Sequence, residues 1–203
     1  MNRRIALLLV VVTLCMGCGG RSRMRQLQAL EAQLDSVPHL VRQSLDSIPF
    51  ATLRGEARAL YAILKTQADY KCYVPLTTDT LIRYATDYYN RSRKNYRAAM
   101  AWYSLGCVYT ELSDDAAAIG AYLRAQTLFP DTTIRYHALC YQNLGRHYLN
   151  RRMLDDARSS FRQCKQWAVL QNDSATIGYC DYYTGLISLY QENHEESNVF
   201  SPL

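Results

Sequence analysis

The chain has 203 residues, 49% of them apolar, with nine glycines and five prolines, enough for one packed domain or repeat array and too few breakers for a loop-rich fold. Its formal net charge is +5, or +3 once Arg3 and Arg4 near the N-terminus are set aside, which is too mild for a nucleic-acid partner. Seventeen tyrosines supply rings that pack while their hydroxyls stay wet, which suits helix seams and binding surfaces alike.

Residues 1–17 read as an export signal. Arg3 and Arg4 give the positive start, Ile5 to Leu14 the short apolar run, and small Gly17 precedes Cys18. That run is too short to span a bilayer comfortably. Its order resembles a bacterial lipoprotein signal, although Cys15 stands where Leu, Val or Ile is usual three places before the acceptor. The resemblance implies that Cys18 becomes the lipidated first residue, with several acyl chains for firm anchoring. Gly19 follows in place of the Asp that marks inner-membrane retention, so the implied location is the cell envelope, lipid-anchored at the outer membrane and facing the periplasm. Residues 18–35 are expected to be the anchor and tether, beginning with the polar run Gly20 to Arg23.

Residues 36–91 carry the next helices. Leu-Asp-Ser-(Val/Ile)-Pro occurs at Leu34–Pro38 and again at Leu45–Pro49, and Asp or Ser just ahead of Pro signals a helix start. A longer helix is predicted from about Thr52 to Lys71, where Leu53, Ala57, Leu60, Leu64 and Ala68 form one stripe. Tyr73-Val-Pro75 breaks it, and Thr78 or Asp79 caps a further helix bearing Leu81, Ile82, Ala85, Tyr88 and Tyr89. The two make a degenerate helical hairpin.

The decisive spacing lies at residues 99–132. Trp102, Leu105, Gly106 and Tyr109 are followed by Ala118, Tyr122, Ala125 and Pro130. Gly106 and Ala118 are small where two helices cross closely, the larger residues fill the space around that crossing, Asp114 caps the second helix and Pro130 ends it. A second copy at 138–171 has Tyr141, Leu144, Gly145 and Tyr148, then Ala157, Phe161 and Cys164, with Val169 where the closing proline would stand. An incomplete third copy and tail at 174–203 begins with Tyr182, Tyr183, Gly185 and Tyr190, and Thr184 replaces its expected Leu. Gly106 and Gly145 are 39 residues apart and Gly185 lies 40 further on, longer than the usual period of about 34. The additional residues sit around Asp131 to Tyr136, predicting longer helices or a longer turn between repeats.

These motifs resemble the tetratricopeptide repeat (TPR), with Tyr for the usual Phe at position 122, and residues 44–195 look like the TPR lipoproteins of Gram-negative bacteria. The resemblance implies an all-α fold, a right-handed α-solenoid of antiparallel helical hairpins. Such relatives have longer arrays, so this chain is expected to be the N-terminal part of a longer one.

No phosphate loop, paired-cysteine zinc signature or His-Glu-x-x-His occurs in the sequence, so an enzyme is not expected and neither cofactor nor metal is expected. Cys72, Cys107, Cys140, Cys164 and Cys180 remain after Cys18, an odd count for an oxidising compartment. A Cys164–Cys180 bridge between neighbouring hairpins is one possible pairing; Cys140 and Cys180 occupy equivalent places on successive repeats, expected to be too far apart to join. In such repeats the first helices line the concave side, and register puts Tyr103, Cys107, Thr110, Glu111, Gln142, Arg146, Asn150, Tyr182 and Leu186 there. Rigid aromatic rings with a central Arg suit an extended peptide. The expected function is therefore a membrane-tethered scaffold for a protein or peptide ligand, the alternative being a carbohydrate-binding outer-membrane lipoprotein on the same helices.

Overall fold

Stripes of Leu and Ala at three- and four-residue spacing favour helix along most of this chain, and Asp, Asn and Pro at the ends of those stripes decide where each helix stops. The computed structural model describes residues 20–90 and 95–199, with side chains described as far as residue 192. Every regular element among the described residues is helical, and no strand occurs among them. The chain divides into two units, Met1–Arg91 and Ser92–Leu203. The export signal expected at 1–17 and the expected lipidation site Cys18 lie outside the described residues.

In the first unit, α1 covers residues 20–33, α2 Pro38–Asp46, α3 Gly55–Lys71 and α4 Thr80–Tyr89, with a 3-10 turn at Phe50–Thr52. Pro38 opens α2 at a position where its missing N–H leaves no bond unmade. The second Leu-Asp-Ser-Ile-Pro instead closes α2 and leads into the 3-10 turn, with Pro49 just ahead of it. The expected tether at 18–35 is helical from residue 20 and sends Leu27, Leu30 and Leu34 into the core. The polar Gly20–Arg23 run masked this stripe, whose apolar members lie three and four residues apart. Val41, Leu45, Ile48, Leu60 and Leu64 complete that core. Lys65 binds Asp69 at 2.7 Å and Asp46 at 3.0 Å, tying α3 to α2. The Arg58 guanidinium lies 4.4 Å from the Phe50 ring centroid and 4.7 Å from that of Tyr84, a cation–π sandwich.

In the second unit, α5 (Tyr96–Glu111), α6 (Asp115–Leu128), α7 (Ile134–Asn150), α8 (Leu154–Leu170) and α9 (Ser174–Val199) each pack on the next. The Asn95 carboxamide oxygen accepts from the Arg97 and Ala98 amides, the Asp114 carboxylate from the Ala117 amide at 3.0 Å and the Asp173 carboxylate from the Thr176 amide at 3.1 Å, so three helix starts are capped by side chains. Three turns share one construction. Ser113, Arg152 and Asn172 adopt φ of 57°, 57° and 54°, and the next amide reaches back to Tyr109, Tyr148 or Ala168 at 2.9–3.0 Å. These are Schellman closures with a non-glycine residue in the left-handed region. α6 stops before Pro130 after 14 residues, whereas α8 has Val169 in the equivalent place and runs for 17, leaving Val169 and Leu170 exposed.

The α5–α6 and α7–α8 pairs share one contact. A Cβ placed on Gly106 would lie 2.6 Å from the Tyr122 ring, and one on Gly145 would lie 2.6 Å from the Phe161 ring. Both rings are fully buried. Gly185 on α9 differs, since a Cβ there meets nothing within 4 Å.

Gly106→Ala should destabilise the unit by about 1–3 kcal/mol, because the buried ring has nowhere to go. Gly185→Ala should be neutral or stabilising by up to about 1 kcal/mol, from helix propensity alone. Urea denaturation of both variants checks the contrast; equal effects would remove the crossing as its cause.

Candidate functional site

The residues expected at repeat crossings separate by burial. Leu105, Gly106, Ala118, Tyr122, Ala125, Leu144, Gly145, Ala157 and Phe161 are buried, while Trp102, Tyr109, Pro130, Tyr141 and Tyr148 are half-buried. Among the residues expected on an open concave face, Tyr103 needs correction. It is 5% exposed and its ring packs 5.7 Å from Tyr122, 6.5 Å from Phe129 and 5.5 Å from Tyr136. Phe129, in the five-residue link between α6 and α7, and Tyr136, in the first turn of α7, close over it, and these two rings stack on each other at 5.2 Å. Cys107 is fully buried as well. Neither side chain meets a ligand in this arrangement.

Thr110 belongs to a polar chain across three helices. Its hydroxyl lies 2.9 Å from the Gly106 carbonyl oxygen, 3.0 Å from the Tyr122 hydroxyl and 2.9 Å from His147 Nε2. On the other edge of the imidazole, Nδ1 stands 2.7 Å from Asp115 Oδ1, which also accepts from Asn150 Nδ2 at 3.3 Å. An ionised carboxylate only accepts, so Nδ1 carries the hydrogen there. The order hydroxyl–imidazole–carboxylate is that of a nucleophilic triad, but the surroundings differ. His147 is 4% exposed with its ring stacked on Tyr122 at 5.8 Å, and the Thr110 oxygen already has three partners. The chain of bonds clasps α5, α6 and α7 together. Burial raises the Asp115 carboxyl, but the hydrogen bonds from His147 and Asn150, with the charges of His147 and Arg151, outweigh it and hold the group below its ordinary value.

The open part of the second unit lies between α7 and α9. A cleft of about 340 Å³ is lined by Leu149 and Asn150 of α7, Arg152 of the following turn, Leu154 of α8, and Leu186 and Tyr190 of α9. Arg146, exposed, stands one turn before Asn150 on the same face of α7. Gln142 stands a further turn back, and the Tyr179 hydroxyl is pushed upward by burial and neighbouring Tyr183 while Arg146 opposes the rise. Tyr182 is 64% exposed, with its ring edge-on to Tyr183 at 5.1 Å. Glu111 is exposed at the end of α5. The cleft thus joins an aliphatic floor and one tyrosine wall to an amide and a guanidinium. It suits a ligand that offers an apolar side chain beside a carbonyl or carboxylate.

Sequence register brings Asn150 and Leu186 to this cleft and Arg146 beside it. Arg152 and Leu154 escaped it because the register follows the first helices and neglects the turn that joins them, whereas Leu149 and Tyr190 lie on the first helices α7 and α9, and Tyr190 is the counterpart, 40 residues on, of Asn150. Arg152 also gives no hint in its side chain that its backbone turns left-handed. Among the described residues, no group of three or more His, Cys, Asp or Glu could hold a metal ion, and no helix is long and apolar enough to cross a membrane. Compared with protein-family models, curated proteins and solved structures, the chain matches none.

Because the folded Asp115 carboxyl sits below its ordinary value, its contribution to stability is present above the unfolded value of about 3.9 and is lost as pH falls through the folded value. Asp115→Asn should flatten the acid limb of the stability profile between about pH 5 and pH 2. Urea midpoints measured across that range check this; parallel limbs would show that the carboxylate is not held by the clasp.

Proposed function

We propose that this chain is a protein-binding scaffold of the bacterial envelope: a right-handed α-solenoid of TPR-like hairpins, tethered by a lipid on Cys18 to the outer membrane and facing the periplasm. Recurrence of the glycine–ring contact at Gly106–Tyr122 and Gly145–Phe161, in pairs 39 residues apart, supports the repeat reading. The cleft between α7 and α9 carries the binding reading, since it joins apolar walls to Asn150 and Arg152 with Arg146 beside them. An extended protein segment has this chemistry: alternate side chains for the apolar floor, and backbone carbonyls or an acidic residue for the amide and guanidinium. Binding, rather than catalysis, is the role that such a surface fits.

The test compares capture of envelope proteins by the wild-type chain and by an Arg146→Ala/Tyr190→Ala variant. Both side chains are exposed, so melting should be unchanged while affinity for the captured partner falls roughly tenfold or more. Undiminished capture would place binding elsewhere. Binding of an oligosaccharide at the same cleft would favour the carbohydrate reading instead.

The anchor has its own test. Cys18→Ala should move the protein from the membrane fraction to the soluble one; retention at the membrane would leave lipidation of Cys18 without support.

A further inference from the structure

Cys164 on α8 and Cys180 on α9 are both fully buried, in one cluster with Ala157, Phe161 and Ile187. The two thiols lie within interaction range of each other across the α8–α9 seam. The repeat register makes this pairing particular to one junction. Cys180 lies 40 residues beyond Cys140, as Gly185 lies 40 beyond Gly145, and Cys164 lies 39 beyond Ala125, as Gly145 lies 39 beyond Gly106. At the α6–α7 junction Cys140 therefore has an alanine as its counterpart neighbour; at the α8–α9 junction a second sulfur stands in that place. Cys107 also lies within electrostatic reach of Cys140, but its sulfur is the acceptor of a 3.7 Å bond from the Tyr122 hydroxyl.

We propose that Cys164 and Cys180 form a dithiol–disulfide couple that fastens α9 to α8, its oxidant being an external disulfide. The Cys180 thiolate attacks one sulfur of that disulfide, forming a mixed disulfide and expelling one external thiolate. The Cys164 thiolate then attacks the Cys180 sulfur of the mixed bond and expels the second. Two S–H bonds are lost and one S–S bond forms; two electrons pass to the external disulfide, and two protons leave with its two thiols. The order follows from the contact: the Cys164 S–H supports a thiolate on Cys180 against the opposing cost of burial, while the same pairing and burial push the Cys164 thiol upward. Since both sulfurs are buried, the reagent enters when α9 lifts from α8, an opening that ends once the bridge closes. Leu186 and Tyr190, the α9 side of the cleft, are held in place by the same bond.

The full chain is incubated with oxidised glutathione, in buffer and in urea below the unfolding transition; remaining thiols are alkylated and a tryptic digest is mapped without reduction. The expected product joins segment 163–165, which contains Cys164, to segment 166–203, which contains Cys180. The oxidised chain should melt on the order of 10 °C above the reduced one, as a short closed loop predicts. Cys107→Ser should keep both signals and Cys164→Ser should abolish both. Recovery of segment 163–165 alkylated in both conditions would overturn the proposal. So would its attachment to a peptide carrying Cys72, Cys107 or Cys140, or an oxidised chain that melts no higher than the reduced one.

Discussion

The second unit depends on an aromatic ring lying against bare backbone. Tyr122 covers Gly106 and Phe161 covers Gly145, each so closely that one added carbon would stand 2.6 Å from the ring. A glycine in mid-helix weakens that helix, so it persists where the approach it allows returns more than the propensity it forfeits. The approach sets the depth at which each pair of helices packs. From that depth follows what the ring's far end can touch. The Tyr122 hydroxyl reaches Thr110 and so joins the chain that continues to His147 and Asp115. Phe161 has no hydroxyl, and its neighbours are the rings of Tyr179 and Tyr183.

The two crossings are thus alike and the two junctions beyond them are not. His147, at the α6–α7 junction, has as its counterpart 40 residues later the buried, apolar Ile187. Ala125 and Cys140 at one junction correspond to Cys164 and Cys180 at the other. The contact within a pair leaves little freedom, because any atom added at the glycine collides with a ring. A junction between pairs can be filled by hydrogen bonds, by aliphatic packing or by sulfur, and this chain uses all three.

The sequence made some of this legible. Glycine and aromatic residues at fixed spacing located the two crossings, because a missing side chain and a large ring are visible in any register. Asp114 could be read as a cap, since it immediately precedes an Ala-rich helix. Contacts set by distant residues were out of reach. Thr110 and His147 are 37 positions apart and His147 and Asp115 are 32 apart, and nothing local to either announces the bond. Tyr103 looked like a surface contact because register alone cannot show that Phe129 and Tyr136 fold over it. The cleft was half visible for a related reason: helix faces can be counted from a repeat, whereas Arg152, at positive φ in a tight turn, takes a direction that its residue type disfavours.

The clasp through His147 also has a mechanical meaning. Hydrogen bonds between short side chains lose strength with small changes of angle, so a junction built from them resists sliding. Apolar contact is non-directional and tolerates a shift of its surfaces. At the α8–α9 junction the polar links are made by long side chains, Arg158 to Gln191 and Ser188, and Lys165 to Asp181, which can swing with the helix they hold. The α6–α7 junction therefore carries the more direction-sensitive links, and the α8–α9 junction the longer, more adaptable ones. The cleft has Leu186 and Tyr190 of α9 on one side of that second junction and its α7 and α8 residues on the other, so whatever fixes α9 against α8 also fixes the width of the cleft.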